Sequence, residues 1–121
     1  MRREDRILVV EDNPAITHAI EACGETLHIE IDSATDGWDA IEKLENEDYR
    51  VIVIDADVPR HSGLGVLTYL REEIGDELGN VILLTSCDRD DLRRRVGSDL
   101  TIVGKDDAVR EITKVVGTTK S

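Results

Sequence analysis

Phenylalanine is absent from this 121-residue chain, tryptophan occurs once and tyrosine twice. A hydrophobic core therefore has to be built from Val, Ile, Leu and Ala. Proline occupies only positions 14 and 59 while 40% of residues are apolar, a balance that excludes collagen-like and disordered chains. Cysteine is equally sparse: Cys23 and Cys87 have no second Cys or His at ligand spacing. That excludes a zinc site or disulfide framework, makes a reducing cytoplasm the expected compartment, and leaves both cysteines as small core residues. No aliphatic run exceeds four residues, against the roughly 20 needed to cross a bilayer. Met1 to Asp5 lead straight into the first apolar run, so neither a signal peptide nor an anchor is expected.

Positive charge is also in short supply, with 15 Lys and Arg against 27 Asp and Glu and a net charge of −12. Such a surface repels phosphate backbones and anionic membranes, so neither direct nucleic-acid binding nor membrane insertion is expected. The excess is spread along the chain, as 15 Asp, 12 Glu, 11 Arg and four Lys. This mix suits a halophilic protein working in concentrated salt, where screening removes self-repulsion. An ordinary acidic cytosolic protein is the alternative.

What remains is an alternation. Strand-like apolar runs lie at Ile7–Val10, Ile29–Ala34, Val51–Ile54, Val81–Leu84 and Leu100–Val103. Between them come segments of helical period: Ile16, Ala19, Ile20 and Cys23 after Pro14; Trp38, Ile41 and Leu44 after Asp36-Gly37; Leu64, Leu67, Leu70 and Ile74; a weak segment from Asp88 to Val96 with Arg93, Arg94 and Arg95 outward; and Val109, Ile112, Val115 and Val116. Trp38 reads as core or partly covered surface, and His18, His28 and His61 as surface or helix-packing residues. Five strands alternating with five helices predict an α/β fold, a parallel sheet covered on both faces, with the more polar second strand at an edge. No linker or repeat interrupts the pattern, which predicts one domain over 1–121.

In such folds ligands bind beyond the carboxyl ends of the strands. Strand one ends in Glu11-Asp12, strand three in Asp55 with Asp57 two further on, strand four in Thr85-Ser86 and strand five in Gly104-Lys105. Carboxylates converging from neighbouring strands repel one another unless a cation sits between them, and hard oxygen ligands suit Mg²⁺. Thr85 and Lys105 complete a pocket for a phosphoryl group, with Asp55 left as the nucleophile. Each residue also has a plain structural reading. Asp12 or Asn13 can cap the helix beginning at Pro14, Thr85 can be a strand residue and Lys105 a solvated cation.

The strings ILVVEDNP, VIVIDADVPRHSG, VILLTS and TIVGK resemble, in order and spacing, the receiver domain of two-component response regulators. The resemblance implies a flavodoxin-like (βα)5 fold with strand order 2-1-3-4-5. It implies Mg²⁺ held by Glu11, Asp12, Asp55 and the backbone carbonyl of Asp57, phosphorylation of Asp55, and phosphoryl contacts from Thr85 and Lys105. Pro59 and Gly63 match further family positions. The implied partners are a histidine kinase or histidine phosphotransfer protein and a downstream target. The implied signalling face, also a homodimer face, is the fourth helix, fifth strand and fifth helix. Self-phosphorylation from a phosphodonor and auto-dephosphorylation at Asp55 would follow.

Three positions depart from the family pattern. Ile102 stands where an aromatic switch residue is usual, partnering Thr85. Asp106 replaces the Pro that usually follows the Lys through a cis bond. For a non-proline residue that bond costs roughly 3 kcal/mol, so a trans bond is expected, with Gly104 supplying freedom to aim Lys105 inward. Asp57 places an acidic side chain near the phosphoryl position, which implies an altered acyl-phosphate lifetime. Two alternatives stay open: a receiver-like interaction module that no longer switches, and a haloacid-dehalogenase-like phosphatase using Asp55 and Asp57. A Rossmann nucleotide site is disfavoured, because Glu11-Asp12-Asn13-Pro14 is anionic and lacks glycine.

Overall fold

A computed structural model describes residues 6–47, 49–55, 68–70, 72, 81–85, 89–96 and 101–120, with side chains described for all but 89, 91, 95, 96 and 115–120 of these. The strands are β1 (Arg6–Val10), β2 (Glu30–Ala34), β3 (Val51–Asp55), β4 (Val81–Thr85) and β5 (Thr101–Gly104). The helices are α1 (Pro14–Leu27), α2 (Gly37–Asn46), α3 (helical at 68–70 and 72), α4 (Arg89–Val96) and α5 (Ala108–Lys120), the last preceded by a 3-10 turn at Lys105–Asp107. All pairings are parallel and the strand order is β2-β1-β3-β4-β5, as expected.

The aliphatic runs of β1, β3 and β4 are buried on both faces, which is why they read as continuous hydrophobic stretches. Alternation sorts them into two layers. Leu8, Val10, Ile52, Ile54, Val81, Leu83 and Ile102 join Ala40, Leu70 and Leu92 on the α2, α3 and α4 side. Ile7, Val9, Val51, Val53, Ile82, Leu84 and Val103 join Ile20, Ala108 and Ile112 on the α1 and α5 side.

The polar strand β2 sits at the edge, and its charges are tied down. Arg6 of β1 reaches Glu30 (2.9 Å) and Asp32 (3.1 Å), and the buried Tyr49 hydroxyl donates to Asp32 (2.8 Å). Burial and the adjacent Asp32 carboxylate both push the Tyr49 phenol upward.

Small residues seat the helices on the sheet. The buried residues of α1 are Ile20 and Gly24, those of α2 are Gly37 and Ala40, and α5 turns Ala108 and Ile112 inward. Three stripe expectations are corrected accordingly: Ala19 is exposed, Trp38 is 71% exposed and Val109 is 37% exposed. Cys23 is only partly buried, its Sγ 3.1 Å from Thr113 Oγ1. His18 and His28 are exposed as expected. His28 ends α1 in the left-handed region (φ 58°), where the Ile29 amide donates to the Gly24 carbonyl at 2.8 Å.

Gly24 is the point of closest approach. A Cβ there would lie 2.5 Å from Ile31 Cγ1 and 2.9 Å from the Ile29 carbonyl oxygen. The backbone contact cannot rotate away, so the gain in helix propensity from alanine is outweighed. Gly24→Ala is expected to cost about 1–3 kcal/mol of stability, read as a lower urea midpoint with an unchanged slope.

Asp57, Pro59, His61, Gly63, Leu64, Leu67, Ile74, Ser86, Cys87 and Leu100 lie outside the described residues, as do the side chains of Arg95, Val96, Val115 and Val116.

Candidate functional site

Register alone assembles the site. Val10 pairs with Ile54, so the next residues, Glu11 and Asp55, lie side by side at the carboxyl edge. Asp55 pairs with Leu84, which places Thr85 one step beyond. Thr85 in turn pairs with Gly104, so Lys105 follows at the same edge.

The side chains converge as the strand ends do. Glu11, Asp12 and Asp55 each bring a carboxylate oxygen within 4.8 Å of the others. Glu11, Asp55 and Thr85 are buried while Asp12 is exposed. Lys105 Nζ lies 2.9 Å from Asp55 Oδ2, an ion pair with Asp55 only 1% exposed. Asp55 terminates four aliphatic residues, and a charge held that deep requires such a partner.

Glu11 is held asymmetrically. Its Oε2 accepts from the amides of Asp12 (3.0 Å) and Asn13 (3.3 Å), whereas the buried Oε1 has no donor among the described residues. Between two carboxylates there are only acceptors, so a hydrogen bond from Glu11 to Asp55 requires a proton on one of them. Burial first, and then that hydrogen bond and the Asp55 charge, push the Glu11 carboxyl up to about 8. The Asn13 amide and Lys105 pull the other way. A buried oxygen without a donor, on one of three clustered carboxylates, fits a hard divalent cation.

The capping ambiguity resolves in favour of Asn13, whose side chain accepts from the Ala15 amide (3.0 Å) with Pro14 opening the helix. Asp12 is thereby left to the cluster. The bond from Lys105 to Asp106 is trans, as expected, since the described residues contain no cis peptide. The expected role of Gly104 is corrected: its φ of −66° and ψ of 147° are open to any residue, and a Cβ there would meet only the Thr85 carbonyl oxygen at 4.0 Å. Lys105 is aimed by the 3-10 turn that begins with it. Ile102, with 7% exposure, is buried in the layer that holds Leu83 and Leu92.

A cleft of about 210 Å³ opens beside Glu11 and Asp12, lined by Thr17, His18, Ser33 and Thr35 among others. These residues carried no signal in the sequence, because they are single polar positions scattered over a helix face and a strand end. Among the described residues, no helix is long and apolar enough to cross a membrane.

Comparison with known proteins agrees with this geometry. The response regulator receiver domain family matches residues 7–114. The transcriptional regulatory protein DltR of Streptococcus agalactiae is 39% identical over 67 residues, covering 55% of this chain and 30% of DltR, so the chain spans under a third of that relative. Among solved structures, the Francisella response regulator 1452 receiver domain superposes with a TM-score of 0.78 at 27% identity, covering 94% of each chain. Thermotoga maritima response regulator TrrA, captured with Mg(2+)-BeF, gives a TM-score of 0.71 at 30% identity over 93% of this chain and 98% of its own. With a match across nearly its whole length, five parallel strands in the order 2-1-3-4-5 and an acidic pocket at their carboxyl edge, the chain belongs to the response regulator receiver domain family.

Proposed function

We propose that Asp55 is the phosphoacceptor of a single receiver domain spanning residues 1–121. An Asp55 carboxylate oxygen attacks the phosphorus of a phosphohistidine on a histidine kinase or histidine phosphotransfer protein. The O–P bond forms as the N–P bond breaks, leaving an aspartyl phosphate and a free imidazole. Glu11, Asp12, Asp55 and the carbonyl of Asp57 would hold Mg²⁺, whose charge offsets that gathered on the transferring oxygens. The capture of TrrA with Mg(2+)-BeF supports this assignment by kinship. Lys105 leaves its ion pair with the free carboxylate to meet a phosphoryl oxygen, and Thr85 donates its hydroxyl to another. Water attack on the aspartyl phosphate returns the free Asp55 and inorganic phosphate.

The observation that carries this reading is Asp55 itself, nearly fully buried at a strand end between Lys105 at 2.9 Å and two further carboxylates. A purely structural ion pair has no need of Glu11 and Asp12 beside it. The output surface is taken to be α4, β5 and α5, acting on a downstream protein and, in the phosphorylated form, on a second copy of the chain.

With a small-molecule phosphodonor in magnesium buffer, intact-mass analysis is expected to show one added phosphoryl group, lost when EDTA is present. Steady phosphate release from unrelated phosphomonoesters would point instead to the phosphatase alternative. The buried Ile102, where the family's switch aromatic is usual, favours a second reading, a receiver-like interaction module that no longer switches. It is distinguished by identical partner binding in both forms.

A further inference from the structure

We infer that Asn13, which no proposed contact to metal or phosphoryl group includes, is a positioning residue for the carboxylate site. The inference rests on the Mg²⁺-dependent reading above. Asn13 acts in three places at once. Its side chain accepts from the Ala15 amide at 3.0 Å, its carbonyl accepts from the Ile16 and Thr17 amides at 3.1 Å each, and its own amide donates to Glu11 Oε2 at 3.3 Å. The residue is held at φ −89° and ψ 111°, the extended geometry of a helix cap.

The consequence lies in which oxygen of Glu11 is left over. The Asp12 and Asn13 amides occupy Oε2, which leaves the buried Oε1 as the oxygen without a donor among the described residues, on a side chain that belongs to the carboxylate cluster. Those two amides point at Oε2 only while the turn from β1 into α1 keeps its shape, and the Asn13 side chain closes that turn. Releasing the cap frees the turn and lets Glu11 spend both oxygens on backbone donors, which removes it from the cation. Residues that orient a metal ligand from behind typically govern 10–100-fold in metal affinity.

The test is calorimetric titration of the metal-free protein with MgCl₂, for wild type, Asn13→Ala and Asn13→Ser, each checked by a thermal melt. Serine restores the cap acceptor without adding charge, and all three chains keep the backbone amide at position 13. Asn13→Ala is expected to bind Mg²⁺ about tenfold more weakly, and Asn13→Ser to bind within about twofold of wild type, as expected of an equivalent cap. A lowered Tm for Asn13→Ala with unchanged Mg²⁺ affinity would reduce Asn13 to an ordinary helix cap and overturn the inference. Absence of Mg²⁺ binding by wild type would overturn the metal reading and the inference with it.

Discussion

Metal-free Glu11→Gln is expected to be more stable than wild type at pH 8, by about 2 kcal/mol, and indistinguishable from it near pH 4.5. The sign follows from linkage. The folded-state value of Glu11 is raised from 4.5 to about 8. The favourable contribution of its protonated form is complete below pH 4.5, declines as pH rises, and is lost as pH passes through about 8. Above that window wild type buries a second carboxylate beside Asp55, with one oxygen lacking a donor. Glutamine keeps the acceptor for the Asp12 and Asn13 amides and turns an N–H donor toward Asp55, removing both costs. The same substitution withdraws a proposed ligand from the cluster, so the Mg²⁺-induced rise in Tm, expected in wild type to grow between pH 4.5 and 8, should nearly vanish. Parallel pH–stability curves for the two proteins would contradict the assignment of Glu11 as a buried carboxyl raised to about 8.

Lys105→Met is the second large effect, with the opposite sign. The ammonium 2.9 Å from Asp55 Oδ2 offsets the charge of a side chain only 1% exposed, and it also opposes the rise of Glu11. Methionine keeps the aliphatic stem and removes the charge, leaving Asp55 buried beside Glu11. Breaking such a pair is expected to cost about 2–4 kcal/mol in the metal-free protein at pH 8. Because Lys105 is itself 22% exposed, a value toward the lower end is expected. Saturating Mg²⁺ should recover much of the loss, since a dication in the cluster serves Asp55 in place of the ammonium. Chemical denaturation with and without MgCl₂ reads both quantities, and a loss that Mg²⁺ does not reduce would place Lys105 outside the cluster's electrostatics.

The strands and their converging ends were legible because a doubly covered parallel sheet demands continuous aliphatic runs, whereas the strand order came only with the resemblance to receiver domains. The register then leaves each terminal polar residue at one edge. Glu11, Asp12, Asp55, Thr85 and Lys105 all arrive there by that rule. The helix faces were less legible. Apolar periodicity selects the largest side chains, whereas helices that lie close to the sheet turn their smallest residues toward it. Gly37 and Ala40 occupy the place expected of Trp38, and Ala108 that expected of Val109. The division of labour between Asp12 and Asn13 was also closed to sequence reasoning. Either side chain can cap a helix, and only the turn geometry decides which carbonyl oxygen meets the Ala15 amide. Gly104 misled for a related reason: glycine permits an unusual backbone without requiring one, and here the backbone is ordinary.

The decisive measurement is a tryptic map with intact mass after incubation with a small-molecule phosphodonor and MgCl₂, run on wild type and Asp55→Asn in parallel. A single phosphoryl group on the wild-type peptide containing Asp55, absent from a folded Asp55→Asn protein, is the expected result. An adduct that persists in Asp55→Asn, or none in folded wild type with Mg²⁺ bound, would contradict the assignment of Asp55 as the phosphoacceptor.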